Sequence, residues 1–143
     1  MANKTLIVID TNVIVAGVRS QQGWAYQLLC GLGQDGFDFC ISVPLLCEYE
    51  EVLKRDADAM HLSLEDADTI IDFLCNYGRR TLIYFNVEFE SRDPDDQKVV
   101  DLAVAASAGV IVTYNKRHFA GLDSFGIVAL TPREFLTRIG AVP

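Results

Sequence analysis

Short β-branched runs alternate with longer helical patterns along the sequence, and this alternation constrains the fold more than any other feature. It is typical of a mainly parallel sheet whose strands are joined by crossover helices. Half of the residues are hydrophobic, as expected for a parallel sheet that is buried on both faces. The predicted strands cover residues 5–9, 39–42, 81–85, 109–113 and 127–130. The predicted helices cover residues 25–32, 44–54, 64–77, 94–108 and 132–139.

Length and hydropathy favour one compact unit without a membrane segment. The 143 residues fit a single domain over residues 1–143. The mean hydropathy of +0.21 is high for such a chain, and either the buried sheet or an apolar homodimer surface accounts for it. The longest apolar stretch, residues 102–112, is shorter than the roughly 18 residues of a membrane helix. The apolar run at the start is too short for a signal peptide, so we expect a cytoplasmic protein. The apolar surface that the hydropathy allows leads us to expect a homodimer.

The four cysteines do not have the spacing of a metal site. Cys30, Cys40, Cys47 and Cys75 contain no CxxC pair, and the two histidines add no ligand spacing. Each cysteine lies among apolar neighbours in the sequence, so we expect four reduced core residues and no soft-metal site.

The net charge of −8 restricts the kind of polyanion binding that is expected. Nucleic acid binders are usually basic, so the charge argues against a large, non-specific polyanion surface. A nuclease stays open, because a carboxylate cluster that binds Mg²⁺ is itself acidic.

The first predicted strand is a continuous apolar run that stops at Asp10, Thr11 and Asn12. An acid at the carboxyl end of a buried parallel strand points into the crevice where such folds bind ligands. Thr11 and Asn12 can hydrogen-bond to neighbouring backbone or fix the rotamer of the acid. Asp10 is therefore a candidate ligand; the alternative is that it caps the segment that follows.

The helix predicted over residues 44–54 turns one of its three glutamates toward the protein. At about 3.6 residues per turn, the apolar stripe of this helix contains Leu45, Leu46, Tyr49, Val52 and Leu53. Glu48 lies at the edge of this stripe, whereas Glu50 and Glu51 point away. A buried carboxylate needs a cation or a hydrogen-bond donor. Glu48 is thus predicted to face a metal ion or to form a salt bridge.

Residues 92–98, RDPDDQK, open the most apolar predicted helix with three aspartates in four positions. Asp96 shares its face with Val99 and Ala103, so we predict that it points inward. Asp101 lies about 140° around the helix from Asp96 and is expected to be solvated. Capping accounts for two of the three acids. Because repulsion among the three favours a nearby cation, Asp96 is a candidate metal ligand.

Another predicted strand ends at Thr113, so Thr113 and Asn115 open on the same edge of the sheet as Asp10. Asn115 can offer an oxygen or a donor but no charge. Lys116 and Arg117, followed by a histidine, form the tight basic group near this edge. They are candidates for phosphate contacts or, equally, ordinary residues of a short surface helix.

At these residues the chain resembles the PIN-domain family along nearly its whole length. The resembling stretches, in order, are VIDTNVIVAG, SVPLLCEYEEVLKR, RDPDDQKVVDLAVAASAGVIVTYNKRHF and TPREFL. Each motif is short, and it is their order and spacing that are specific. The chain looks closest to the branch of toxins of toxin–antitoxin pairs, the VapC-like ribonucleases.

The resemblance implies a PIN-like three-layer α/β/α sandwich with a parallel sheet of about five strands in the order 3-2-1-4-5. It implies an endoribonuclease that uses Mg²⁺ or Mn²⁺, leaves a 5′-phosphate and a 3′-hydroxyl, and has an RNA substrate and a cognate antitoxin as partners. It assigns catalytic and metal-binding roles to Asp10, Glu48 and Asp96. It assigns supporting roles to Thr11, Asn12, Thr113 and Asn115.

Asn115 is the departure from the family pattern, because many members have an aspartate there. The site loses one charge, so we expect one metal ion rather than two. In this mechanism Asp10 and Asp96 hold the cation directly or through water, since Mg²⁺ takes one or two carboxylates and keeps several waters. Glu48 orients the attacking water, and Lys116 or Arg117 steadies the neighbouring phosphate.

Other functions remain open from the sequence. A phosphatase of another doubly wound family would use Asp10 as a nucleophile, but Asn12 interrupts the usual DxD arrangement. A receiver-like signalling domain would need a phosphorylatable aspartate after the third strand, which is missing from the sequence. An RNA-binding or assembly module that has lost catalysis is compatible with Asn115.

Overall fold

The computed structural model describes residues 4–34, 36–90 and 93–141, and Arg92 of the acidic motif lies outside them. Five strands form one parallel sheet in the order β3-β2-β1-β4-β5. The α/β class and the strand order predicted from the sequence are confirmed. The strands are β1 (Thr5–Ile9), β2 (Phe37–Ile41), β3 (Arg79–Arg80), β4 (Val110–Val112) and β5 (Val128–Leu130).

The strands are joined by helices, as in a three-layer α/β/α arrangement. These are α1 (Thr11–Arg19), α2 (Trp24–Cys30), α3 (Val43–Arg55), α4 (Leu64–Tyr77), α5 (Asp96–Ala105) and α6 (Pro132–Arg138). Short 3₁₀ turns lie at Lys116–Phe119 and Asp123–Phe125. Within the described ranges, every helix is too short or too polar to cross a membrane.

The centre of the sheet is β1, which pairs with β2 on one side and with β4 on the other. Ile7 is level with Phe39 and with Val110, so the three strands end close to the same height. Because all strands are parallel, their carboxyl ends lie along one side of the sheet, which we call the carboxyl edge. Asp10 follows β1 at this edge, and its backbone N–H continues the ladder to the carbonyl of Val112 at 2.9 Å.

Helix α5 carries the acidic motif to the carboxyl edge. Val99, Val100, Leu102 and Ala103 are fully buried, and the helix packs against β1, β2 and β4. This burial fixes both the position and the rotation of the helix, since its apolar face must cover the sheet. Its first residue, Asp96, is thereby held beside the end of β1.

Helix α1 was not predicted from the sequence, because Val13, Ile14 and Val15 are β-branched and Gly17 follows them. Tertiary packing overrides that preference, since Val13 and Ile14 are buried in the core. Gly17 lies close to α2, where an added Cβ would come within 2.4 Å of the Leu29 side chain. The small residue therefore lets the two helices approach.

The third predicted strand, residues 81–85, is wrong: β3 contains only Arg79 and Arg80. The reason lies in its neighbour. β2 ends at Ile41, and the chain then turns into α3, so no strand edge remains for residues beyond Thr81. The last backbone hydrogen bond of this pairing runs from Thr81 N to Ile41 O at 2.9 Å.

The four cysteines are free, and they differ in burial. Cys40 is buried in β2, Cys30 and Cys47 are exposed, and Cys75 is half-buried. The prediction of four core cysteines is therefore wrong for two of them. Cys30 ends α2, and Cys47 lies on the outward side of α3.

Candidate metal centre

Three buried carboxylates approach one another at the carboxyl edge. Asp10, Glu48 and Asp96 expose only 8%, 7% and 6% of their surface. Asp10 follows the central strand, Glu48 lies in the second turn of α3, and Asp96 begins α5. The charges of Asp96 and Glu48 both act on the Asp10 carboxyl. The structure thus brings together the three acids singled out in the sequence.

Asp10 is held by two hydrogen bonds in a position that disfavours its charge. The Thr113 hydroxyl donates to its Oδ2 at 2.8 Å, and the Thr11 backbone N–H donates to its Oδ1 at 2.8 Å. Burial raises the pKa of Asp10 to about 6. The hydrogen bond from Thr113 opposes this rise, and the negative charges of Asp96 and Glu48 add to it. A cation beside Asp10 would relieve this penalty.

Asp10 also acts as the N-cap of α1, because its side chain accepts the hydrogen bond from Thr11 N. The alternative role of Asp10, as a cap of the segment that follows, is therefore confirmed. It does not account for the other oxygen, which faces Thr113, nor for the two nearby acids.

Both oxygens of Glu48 have partners from other helices. The Thr11 hydroxyl donates to Oε2 in a short contact, and the ammonium of Lys98 lies 3.1 Å from Oε1. Lys98 also lies 3.3 Å from Asp95. Partial burial lowers the pKa of Lys98, but the hydrogen bonds and charges of Glu48 and Asp95 outweigh it, so the pKa is raised. The salt bridge left open for Glu48 is present, and it lies at the acid cluster itself.

Asp96 contacts the side chain of His118. The Nδ1 atom of His118 lies 3.0 Å from Asp96 Oδ2, and the histidine side chain is largely covered. His118 lies on the 3₁₀ turn after β4, so the contact joins the start of α5 to this turn. The acid cluster is thus flanked by Lys98 on one side and by an imidazole on the other.

Neither Lys98 nor His118 was identified as a site residue from the sequence. At helical spacing Lys98 falls on the same side of α5 as Asp101, which is expected to be solvated, and the length of the Lys98 side chain allows it to reach α3. The sequence around His118 has no helical or strand periodicity that would predict where its side chain points. His118 lies in a 3₁₀ turn whose orientation depends on the rest of the fold. Their contacts with two acids of the cluster make them part of the site's surroundings.

The four residues with predicted supporting roles all lie at this edge, but they differ in how they contribute. Thr11 and Thr113 donate directly to the acids. Asn12 accepts from Tyr114 N at 3.4 Å and so links the ends of β1 and β4. Asn115 donates through its backbone N–H to the Thr113 hydroxyl at 2.9 Å, and its side chain is exposed.

The two residues predicted to contact phosphate, Lys116 and Arg117, lie on the same 3₁₀ turn as His118. Lys116 is exposed and pairs with Glu134 of α6 at 2.9 Å. Arg117 is exposed beside it on the same 3₁₀ turn. Among the described residues, neither side chain forms an ion pair with Asp10, Glu48 or Asp96.

The expectation that Asp101 is solvated is wrong. Only 7% of Asp101 is exposed, and its Oδ1 accepts hydrogen bonds from Val87 N at 2.7 Å and from Gln97 Nε2 at 2.8 Å. Gln97 Nε2 also donates to Val87 O at 2.7 Å. The loop that carries Val87 lies against this side of α5. Asp101 therefore fastens a loop to the helix.

The acids fit a hard cation in kind, although they do not form a complete ligand cage. Within residues 4–34, 36–90 and 93–141, no three His, Cys, Asp or Glu side chains are arranged to hold a metal ion. Such a cage is not required, because Mg²⁺ takes one or two carboxylates and keeps several waters. The oxygen donors and the raised pKa of Asp10 suit a divalent cation.

Comparison with known proteins agrees with this architecture. A family model described as PIN domain matches residues 6–117. The crystal structure of VapBC2 from Rickettsia felis, bound to a DNA fragment from their promoter, contains a chain with 14% identity. The match covers 89% of this chain and 98% of that chain, with a TM-score of 0.62.

A second solved structure, VapBC-1 from nontypeable Haemophilus influenzae at 2.2 Å resolution, gives a similar result. Its identity is 13%, the match covers 90% of this chain and 99% of that chain, and the TM-score is 0.61. At these identities both structures show a shared fold. No curated protein matches the sequence.

Proposed function

This chain belongs to the PIN-domain family, and from that premise we propose that it is a nuclease, more narrowly a divalent-metal-dependent endoribonuclease. The observation that carries the proposal is the convergence of Asp10, Glu48 and Asp96 at the carboxyl edge. Ligands of open α/β sheets bind at this edge. Three buried acids that repel one another would be unfavourable there without a role for their charge.

Asp10 and Asp96 are the residues we assign to a Mg²⁺ or Mn²⁺ ion, directly or through water, with Glu48 beside them. Such an ion, when bound, activates water for attack and offsets charge on the scissile phosphate. The chain's own groups hold the acids in place. Thr113 fixes one oxygen of Asp10, and Thr11 fixes one oxygen of Glu48. Glu48 then orients the attacking water.

The charge of the molecule limits how RNA is held. At a net charge of −8, the protein repels a polyanion over most of its surface. The substrate footprint is therefore small, and unpaired loops or single strands are the form of RNA that the site accepts. The acid cluster, rather than a broad basic surface, sets where the chain is cut.

A protein antitoxin is the partner that we propose for this nuclease. One chain in each of the two VapBC structures shares its fold, and the structure offers an apolar groove between α1, α2 and α4. Its lining includes Ile14, Val18, Leu29, Ile70 and Phe73. A short reading frame that overlaps the start of this gene would support the pairing, and the absence of any neighbouring frame would argue against it.

We also propose that the chain forms a homodimer. Sedimentation of the purified chain tests this oligomeric state.

A second candidate function is an RNA-binding or assembly module without catalysis. Two observations favour it: position 115 is Asn, and Lys98 already neutralises Glu48. The two functions differ in one measurement, because the module binds RNA equally well with and without Mn²⁺ and never cuts it.

Cleavage of a single-stranded RNA in millimolar Mn²⁺, with EDTA as the parallel reaction, tests the nuclease. Asp10→Asn and Asp96→Asn should each lower the rate at least about 100-fold, since the site loses a ligand charge. Glu51→Gln, on the exposed side of α3, is the matched control and should stay within a few-fold of the natural protein. Cleavage that persists in EDTA, or in both aspartate variants, contradicts the proposal.

A further inference from the structure

Residues 79–85, which we call the β3 segment, contain two exposed arginines and, after three intervening residues, two exposed aromatic side chains. Tyr84 is 83% exposed and Phe85 is 65% exposed. Arg79 and Arg80 form the edge strand β3 and are exposed as well. Large aromatic side chains are usually buried, so an exposed pair beside two cations indicates a binding surface.

The β3 segment starts at the same edge of the sheet as the acid cluster. Arg80 is level with Ile41 of β2. Continued by two residues, the register of β1 with β2 places Ile9 level with Ile41. Arg80 is thus two strands from Ile9, on the order of 10 Å at the usual strand spacing. The chain after Arg80 leaves from the carboxyl edge, where Asp10 lies.

The charge of the two arginines is not neutralised within the protein. In the part of the chain that the structure describes, neither Arg79 nor Arg80 forms an ion pair. The lysines there are all paired with acids, Lys116 included. Arg79 and Arg80 are therefore a local positive site on an acidic molecule, and a ligand with negative charge would complement them.

We propose that the β3 segment binds single-stranded RNA next to the acid cluster, with the bases stacked on Tyr84 and Phe85 and the phosphates held by Arg79 and Arg80. This inference rests on the proposed function, since it identifies where the substrate strand runs. Aromatic faces accept any base, and guanidinium groups pair with phosphate in a bidentate manner. The aromatic side chains and the arginines of this surface thus both match single-stranded RNA.

A second copy of the chain is a poorer match for this surface. Symmetric dimers bring the same patch of both copies together, so the arginines of one copy would approach those of the other. Like charges that are juxtaposed at an interface are unfavourable. RNA supplies the opposite charge and flat apolar faces at once, which is why it is the ligand that we assign.

Fluorescence anisotropy of a labelled 12-nucleotide single-stranded RNA, measured in EDTA, tests the proposal without requiring cleavage. The double variant Tyr84→Ala/Phe85→Ala should weaken binding roughly ten-fold or more, because each lost stacking contact is substantial. The double variant Arg79→Gln/Arg80→Gln should also weaken binding. It should in addition flatten the dependence of log K on log salt by about 1.4, since two phosphate contacts on a single strand are lost.

Two controls match these variants in chemistry but not in place. Phe125→Ala removes an aromatic side chain that is 48% exposed on a 3₁₀ turn after β4. Arg138→Gln removes an exposed arginine of α6. Both should bind RNA as the natural protein does. A duplex of the same sequence should bind more weakly than the single strand, because its bases are not available for stacking.

Wild-type affinity in both double variants would overturn the proposal. So would a protein that is dimeric in sedimentation, becomes monomeric on Tyr84→Ala/Phe85→Ala, and binds RNA unchanged. The circular dichroism spectrum of each variant confirms that it is folded, and the salt slope reports phosphate contact independently of stability. A failure of the nuclease proposal would be seen separately, because the natural protein would then not cleave RNA in Mn²⁺.

Discussion

Ionisation of Asp10 opposes folding of the metal-free protein. Burial raises its pKa from 3.8 to about 6. The folded state therefore holds this proton more tightly than the unfolded chain does. The stability that this proton contributes is fully present below about pH 4 and is lost as the pH rises through about 6.

We therefore expect Asp10→Asn to stabilise the metal-free protein at pH 7.5, by about 2–3 kcal/mol at most. The gain should shrink toward zero as the pH is lowered to 4, because the natural carboxyl is then protonated. Urea denaturation in EDTA at three pH values measures this difference. Asp72→Asn, at an exposed position of α4, is the control. A gain that is independent of pH would contradict the assignment of the raised pKa.

Lys98 is expected to act through Glu48. Lys98→Met leaves one oxygen of a buried carboxylate without its cation, so the metal-free protein should lose about 1–3 kcal/mol of stability. In the Glu48→Gln background the same change should have less than half of that effect, since the charge that Lys98 serves is gone. Urea denaturation of the four proteins completes the double-mutant cycle.

Lys54→Met is the matched control for Lys98. Half-buried Lys54 of α3 pairs with exposed Asp68 of α4 at 2.8 Å, and such solvent-accessible pairs contribute less than about 1 kcal/mol. Equal losses for Lys98→Met with and without Glu48→Gln would show that the lysine packs but does not pair with Glu48.

At the scale of elements, Asp101 joins the segment after β3 to α5. Asp101→Ala leaves the Val87 N–H without its buried acceptor, so we expect a loss of about 1–3 kcal/mol. Hydrogen exchange at the Val87 amide should become faster by a larger factor than exchange in β1. Glu51→Ala, on the exposed side of α3, should alter neither quantity. An unchanged exchange rate at the Val87 amide would contradict the role of Asp101 in holding this segment against α5.

The elements that sequence patterns predict well are those whose local and tertiary preferences agree. Helix α4 was predicted over its observed span, 64–77, because Ser63 and Asp66 form a capping box and its apolar residues recur at helical spacing. Helix α1 was missed, since its β-branched residues prefer strands and only packing makes them helical. β3 was overextended, because the end of a strand is set by its neighbour β2.

The site shows the same division between local and long-range information. The inward direction of Glu48 and Asp96 follows from the apolar stripes of their own helices, so it could be predicted. The burial of Asp101 could not, because a distant loop covers it. The contacts of Lys98 and His118 likewise depend on how α5 approaches α3 and the turn after β4.

For the molecule as a whole, a divalent cation should act as a ligand of the folded state alone. Mn²⁺ at about 100 times its dissociation constant should stabilise the protein by about 2.7 kcal/mol, which raises Tm by several degrees. Asp96→Asn should abolish most of this shift, whereas Asp72→Asn should retain it. Identical melting curves for the natural protein in EDTA and in millimolar Mn²⁺ would contradict the metal centre.

The hydrogen bond between Thr113 and Asp10 joins residues 103 positions apart. During synthesis on a ribosome, Asp10 leaves the exit tunnel first, and Thr113, which follows β4, leaves it only 103 residues later. Until then β1 has no neighbour on the β4 side, and Asp10 lacks its hydroxyl partner. The RNA cleavage that we propose therefore requires that the segment around Thr113 has also left the ribosome, because the Asp10 carboxyl has no hydroxyl partner before then.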